Sequence, residues 1–344
     1  MQIGLVGYQG CGKSTLFHWL TGVAPDPALA HSGQSAMAAL PDPRLEELRK
    51  LYDAKKVTPA ALEIMDTPGL SRSHQGNAAK LAVLRDVGCL VLVAPAFGGA
   101  DPAAELQSFR EDLILADLEI VTGRMERVQE SLRKPRPKHD RETFEEELAV
   151  LQRVKEGLEA GQPLTEADMQ PQELRYTRAF RLLNEKPQLV VVNTADDESD
   201  FSRFAAMLPA ELPVFAAPLS LEVELAAMNP EERAAFQAEL GVGGADRGEL
   251  LWQLLRVSGR QTFLTAGPKE VRAWLVRRGA TAVEAAEAIH TDLAKGFIRA
   301  EVMNYHDLIR LGSEREMKAH NLVRHEHRDY VVHEDDILLI RFST

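Results

Sequence analysis

A lysine beside a hydroxyl, placed just after a glycine-rich turn, can hold a phosphate chain and its metal ion. Residues 7–14 read GYQGCGKS, with four residues between Gly7 and the triplet Gly12-Lys13-Ser14. Gly7, Gly10 and Gly12 let the backbone curl so that successive N–H groups face an anion. At this spacing Lys13 reaches the β- and γ-phosphates, and the Ser14 hydroxyl is placed to coordinate Mg²⁺. The expected nucleotide-binding positions are therefore Gly10, Cys11, Gly12, Lys13, Ser14 and Thr15. A second patch, ALEIMDTPG at 61–69, ends an apolar run on Asp66 and places Gly69 three residues on. Asp66 is expected to hold a Mg²⁺-bound water, and the Gly69 N–H to swing onto a γ-phosphate. Lys13 and Gly69 are thus the expected catalytic groups, and Ser14 and Asp66 the metal ligands.

Two further stretches offer a base site. Asn193-Thr194-Ala195-Asp196 and Pro218-Leu219-Ser220 each follow an apolar run, where ligands of open α/β sheets bind. In guanine-specific enzymes an Asn-Lys-x-Asp at this point frames the base, with the Asp accepting from its edge. Here Thr194 replaces the Lys, and Asp196 keeps the carboxylate. Taken alone, the same four residues also read as a strand-end turn.

These residues need elements to hold them. Gln2 to Val6 is short, apolar and β-prone, and Ser14 to Leu20 carries apolar residues at helical spacing up to Gly22. Cys89–Val93, Leu189–Asn193 and Val214–Ala217 read as buried parallel strands separated by helical segments. The gap between the first two of these is too long for one crossover. Within it Leu118, Val121, Met125, Val128 and Leu132 follow helical spacing, and Phe144, Leu148, Leu151 and Leu158 resume it after Lys134-Pro135-Arg136-Pro137-Lys138. This predicts an antiparallel helical hairpin. Its tip, with Arg133, Lys134, Arg136, Lys138 and Arg141, reads equally as a phosphate-backbone contact or a solvated turn.

The bulk numbers agree with a multidomain globular chain. There are 344 residues, 45% of them hydrophobic, and a net charge of −12, which argues against a wholly basic nucleic-acid coat. Two cysteines, Cys11 and Cys89, make no disulfide framework and no zinc spacing. The phosphate loop starts at residue 7, which leaves no room for a leader, and no apolar run approaches a membrane span. A cytoplasmic, monomeric protein with no membrane partner is expected.

Toward the end of the chain, 297–302 alternates like a strand, 281–290 has helical spacing, and Tyr330–Val332 and Ile337–Ile340 flank His333-Glu334-Asp335-Asp336 as a hairpin would. This suits a small β-grasp module. The stretches FLTAGPKEVRAWLVRRG, IHTDLAKGFIRAEV and DYVVHEDDILLIRF, with Pro41-Asp42-Pro43-Arg44-Leu45, Ala116-Asp117-Leu118-Glu119 and the two phosphate motifs, resemble the YchF-type, Obg-like ATPases. The resemblance covers nearly the whole chain. It implies an α/β fold: a P-loop NTPase (Rossmann-like G domain) with an inserted α-helical hairpin and a C-terminal β-grasp TGS domain. The expected boundaries are 1–102 with 175–259 for the G domain, 103–174 for the hairpin and 262–344 for the TGS domain. It also implies ATP as substrate, Mg²⁺ as cofactor, and ribosome or RNA contact through the TGS domain, to which the basic tip of the hairpin is expected to add.

The chain departs from the family's pattern. Gly10 stands where an Asn is usual, and in related potassium-activated GTPases that Asn helps hold a cation. Asp66-Thr67-Pro68-Gly69 replaces Asp-Ile-Ala-Gly, and Asn193-Thr194-Ala195-Asp196 replaces Asn-x-x-Glu, which reopens GTP. Matching back from Pro41 puts Ala30 where a switch I Thr is expected, with Ser32 and Ser35 as substitutes. Leu70, a family feature, stands where Ras-like enzymes orient water with Gln. The expected function is a ribosome- or RNA-associated P-loop NTPase with slow, Mg²⁺-dependent turnover of ATP or GTP, acting as a translation-related switch. The rival readings are a nucleotide-dependent binding module with negligible hydrolysis, a GTP switch reading guanine through Asp196, and a small-molecule kinase.

Overall fold

The computed structural model describes residues 1–135, 137–162, 168–198, 200–240 and 244–343. The chain divides into two compact units, one of residues 1–36 with 64–245 and one of residues 37–63 with 246–344.

A six-stranded sheet carries the nucleotide motifs, in the order Gln34–Ala39, Ala61–Asp66, Gln2–Val6, Cys89–Ala96, Gln188–Thr194 and Val214–Ala217. The last four strands are parallel neighbours, and their central members are buried almost throughout, which explains the unbroken apolar runs. Helices Lys13–Thr21, Asn77–Asp86, Pro102–Leu132 and Leu219–Ala227 flank it. One core cluster joins Val6, Leu90, Leu92, Val190 and Val192 of the strands to Leu106, Phe109 and Leu113 of the long helix.

The predicted hairpin is present as Pro102–Leu132 and Lys138–Glu159. Val121, Met125 and Val128 pack against Val150, Leu151, Val154 and Leu158, as the spacing requires. Its base is tied by Asp117, fully buried, which accepts from Arg85 Nη1 at 2.7 Å, Leu183 N at 3.1 Å, Asn184 N at 3.0 Å and Asn184 Nδ2 at 2.8 Å. The tip is exposed, but its charge is largely answered within its own helices. Lys134 pairs with Glu130, Lys138 with Glu142 and Arg141 with Glu145. Arg136 lies outside the described residues.

The second unit is built on a mixed sheet in the order Arg324–Glu326, Phe297–Asn304, Asp336–Phe342, Arg260–Thr265, Val271–Arg277 and Val57–Thr58. Helix Ala282–Ile289 lays Ala282, Ala285 and Ala286 against Phe263, Val302 and Leu338. Its start is fixed by a capping box between Thr281 and Glu284. Two expectations change here. Residues 37–63 and 246–259, expected with the nucleotide-binding part, group with the C-terminal part, because Val57 and Thr58 extend its sheet beside Val271 and Arg272. Within that unit, Asp42 caps helix Pro43–Tyr52, and the Arg44 guanidinium bonds Asp42, Asp335 and Thr262. Second, Tyr330–Val332 is not a hairpin arm. Val331 makes an isolated bridge to Thr281, while the Asp336 carboxylate takes the Tyr330 hydroxyl and the His333 N–H, each at 2.8 Å. That carboxylate staples the turn, so the chain before it leaves toward the helix cap.

Candidate functional site

The first strand ends at Val6, and the chain must turn through 7–12 before helix Lys13–Thr21 can begin. Gly10 and Gly12 take φ of 81° and 103°, a left-handed region that favours glycine. At Gly12 a Cβ would lie 2.2 Å from Asn193 Nδ2, so only glycine lets the loop close on that side chain. At Gly10 a Cβ would meet nothing within 4 Å, so its lack of a side chain is not imposed by packing.

The Lys13 ammonium is buried and donates to the loop's own Tyr8 carbonyl at 2.8 Å. Beside it, the Ser14 hydroxyl donates to Asp66 Oδ2 at 2.6 Å. Asp66 Oδ1 is buried with no hydrogen-bond partner among the described residues. Burial raises the Asp66 carboxyl above its ordinary range, and the Ser14 hydroxyl and the Lys13 charge oppose that rise. Burial likewise pushes the Cys11 thiol up, against the pull of Lys13, which makes it a packed side chain rather than a thiolate.

The segment from Thr67 to Asn77 is anchored at both ends. Thr67 donates to Leu5 O at 2.6 Å, giving the Thr of this Asp-Thr-Pro-Gly a buried partner. Leu70 N donates to Gly7 O and Gln9 N to Leu70 O, each at 3.1 Å, and the Leu70 side chain is buried in the core. Asn77 then closes the loop with paired bonds to Ser71, 2.8 Å to its N and 2.9 Å to its O. Gly69 lies against Lys13, where a Cβ would be 2.8 Å from Nζ.

Gly10, Lys13, Ser14, Asp66 and Gly69 line one cavity of about 300 Å³. Ala30 lines it too, without a hydroxyl. The two serines weighed as substitutes are engaged elsewhere, Ser35 accepting from Gln2 Nε2 at 2.7 Å and Ser32 turned to Leu29 O at 3.5 Å. Sequence reasoning missed several residues of the wall: Gln9, Asp26, His31, Gln34 and Lys80. Gln9 is a variable position inside the phosphate loop, and the other four lie outside every motif. Lys80 is eleven residues beyond Gly69 and donates to its carbonyl at 2.8 Å.

The base-site candidates meet the loop from the other side. Asn193 Nδ2 donates to Cys11 O at 3.2 Å, and Asn193 Oδ1 accepts from Leu219 N at 3.3 Å. Its carboxamide thus ties the phosphate loop to the start of helix Leu219–Ala227. Thr194 is buried, and its hydroxyl has no hydrogen-bond partner among the described residues. Asp196 and Ser220 are exposed, and Thr15 is half-buried at the helix start. Among the described residues, the cavity lining does not include Thr15, Asn193, Thr194, Asp196, Leu219 or Ser220.

Residues 2–122 match the family described as 50S ribosome-binding GTPase, and residues 261–343 match the family YchF-GTPase_C, described as a protein of unknown function. The Ribosome-binding ATPase YchF of Bacillus subtilis is 32% identical, covering 99% of this chain and 98% of its own length. Obg-like ATPase 1 of Oryza sativa subsp. japonica is 32% identical, covering 100% of this chain and 92% of its own length. Among solved structures, the Schizosaccharomyces pombe YchF GTPase superposes with a TM-score of 0.84 at 24% identity, covering 99% of this chain and 97% of its own. That likeness establishes the shared fold.

Proposed function

The chain belongs to the YchF family of Obg-like ATPases, and on that premise we propose that it is a ribosome-associated switch that binds and slowly hydrolyses ATP, with GTP as the competing base. The observation that carries this reading is the convergence of Lys13, Ser14, Asp66 and Gly69 on one cavity. The ribosome partner rests on the names of the relatives, and the cytoplasm follows from it. No helix among the described residues is long and apolar enough to cross a membrane.

The donor set fits Mg²⁺. Ser14 Oγ and the Asp66 carboxylate are hard oxygens held side by side, and Asp66 keeps one buried oxygen without a hydrogen-bond partner among the described residues. When bound, Mg²⁺ would neutralise phosphate charge and lower the barrier to transfer. The chain's own contribution is positional. Lys13, released from the Tyr8 carbonyl, bonds the β- and γ-phosphates. The N–H groups of 10–15 receive the remaining oxygens, and Gly69 offers its N–H to the γ-phosphate. Water attacks the γ-phosphorus, the bond to the β–γ bridging oxygen breaks with its electron pair leaving on the diphosphate, and the water's proton passes to an oxygen of the released phosphate. The Leu70 side chain is buried in the core and has no polar atom, so no side chain at that position orients the water, and slow turnover follows.

ATP and GTP affinities with Mg²⁺ on wild type and Asp196→Glu test the base, and phosphate release with and without ribosomes tests the switch. A preference for ATP in both chains is expected, with release accelerated by ribosomes. Tight binding without release in either condition would replace the enzyme by a nucleotide-gated binding module. A GTP preference reversed by the substitution would make Asp196 the guanine reader.

A further inference from the structure

We propose that Lys80 is a second phosphate-binding lysine, specific for the terminal phosphate of a bound nucleoside triphosphate. The proposal rests on the nucleotide-site reading above. Lys80 lies in helix Asn77–Asp86, outside every motif of the site, yet it lines the same cavity as Lys13 and Ser14. Its ammonium is held by the Gly69 carbonyl at 2.8 Å. A Cβ on the same residue would lie 2.8 Å from Lys13 Nζ. Two ammonium groups therefore converge on the one glycine whose N–H faces the transferring phosphate.

The surroundings fix that reach. Asn77 clamps the loop from Ser71 to the helix start, which ties the helix that carries Lys80 to the segment just after Gly69. Lys80 is half-buried, and it has no ion pair among the described contacts that would draw it away from the Gly69 carbonyl. A carbonyl is a weak partner for an ammonium compared with a phosphate oxygen, so a triphosphate can take the contact over. The need is also plain. Neither Gly10 nor Leu70 has a side chain that can place a charge or a polar atom on the γ-phosphate, and a fixed cation near developing charge lowers the barrier in such sites. A diphosphate, lacking the terminal group, gains nothing from Lys80.

The test is equilibrium binding of ADP, ATPγS and ADP with aluminium fluoride to the full-length chain, with Mg²⁺, for wild type, Lys80→Gln and Lys80→Arg. Lys80→Gln keeps a donor for the Gly69 carbonyl but no charge. It should bind ADP within about twofold of wild type and lose roughly tenfold or more for ATPγS and the fluoride complex. Lys80→Arg should recover most of that loss, and kcat should follow the same order. An unchanged triphosphate-to-diphosphate ratio in Lys80→Gln overturns the proposal. So does an equal loss for all three ligands, which would make Lys80 a tether of the loop at Gly69. If wild type binds no nucleotide, the site reading itself fails. If wild type binds and Lys80→Gln is indifferent, only Lys80 is lost.

Discussion

Gly12→Ala should damage the site in two separable ways. An alanine there must keep φ near 103°, and a left-handed conformation costs a non-glycine residue about 1–2 kcal/mol. Its Cβ would also lie 2.2 Å from Asn193 Nδ2, so the carboxamide must move. Moving it forfeits the bonds to Cys11 O and Leu219 N, each contributing about 0.5–1.5 kcal/mol. The sum is a loss of about 2–5 kcal/mol from the unit that holds the loop. Urea unfolding of the full chain reads the stability, and ATP titration reads the loop, where at least about a tenfold weakening is expected. The two terms come apart in a double-mutant cycle. In an Asn193→Ala background the clash is absent, and Gly12→Ala should cost only the backbone part. Costs that simply add, within about 0.5 kcal/mol, would refute the steric half of the argument. An unaffected single variant would refute both halves.

Two further outcomes follow from the packing. Asp117→Ala would leave the Arg85 guanidinium and three N–H donors without their buried carboxylate, at a cost of about 3–5 kcal/mol in urea unfolding, and a loss below about 1 kcal/mol would mean that water or rearrangement serves them. In the C-terminal unit, paired bonds from Arg341 hold the Glu301 carboxyl below its ordinary range. Its stabilisation is fully present above the unfolded glutamate value of about 4.3 and is lost as pH falls through the lower folded value. Arg341 is half exposed, so solvent screening limits the pair to about 0.5–1 kcal/mol. Wild type should exceed Glu301→Gln by that much in urea unfolding at pH 7, and the gap should shrink as pH falls below the ordinary glutamate range. A gap that does not change with pH would assign the effect to packing.

What could be read in the sequence was what is local. The loop at 7–14 and Asp66 with Gly69 declare themselves by type and spacing, and the buried strands by unbroken apolar runs. The hairpin is legible because Val121, Met125 and Val128 keep helical phase with the residues they meet. What was hidden depends on partners distant in the chain. Nothing between 37 and 63 announces that Val57 will pair with Val271. Lys80 looks like any solvated lysine of an amphipathic helix until its partner, a backbone carbonyl with no sequence signature, is known. The signature residues Arg44 and Asp117 turn out to serve architecture: one cross-links the C-terminal unit and the other anchors the hairpin's base.

The route of residues 37–63 bears on synthesis. This segment is made early, yet the strand that completes its edge, Val271–Arg277, follows about 200 residues later. At translation speeds of about 5–20 residues per second, that is a wait of roughly 10–40 s for a nascent chain. For that interval Val57 and Thr58 have no strand to pair with, and the Arg44 guanidinium lacks both Thr262 and Asp335. The C-terminal unit therefore cannot fold one domain behind the other from the ribosome. Cutting the gene at residue 245 would leave a fragment whose residues 37–63 have lost every partner that arrives after the cut.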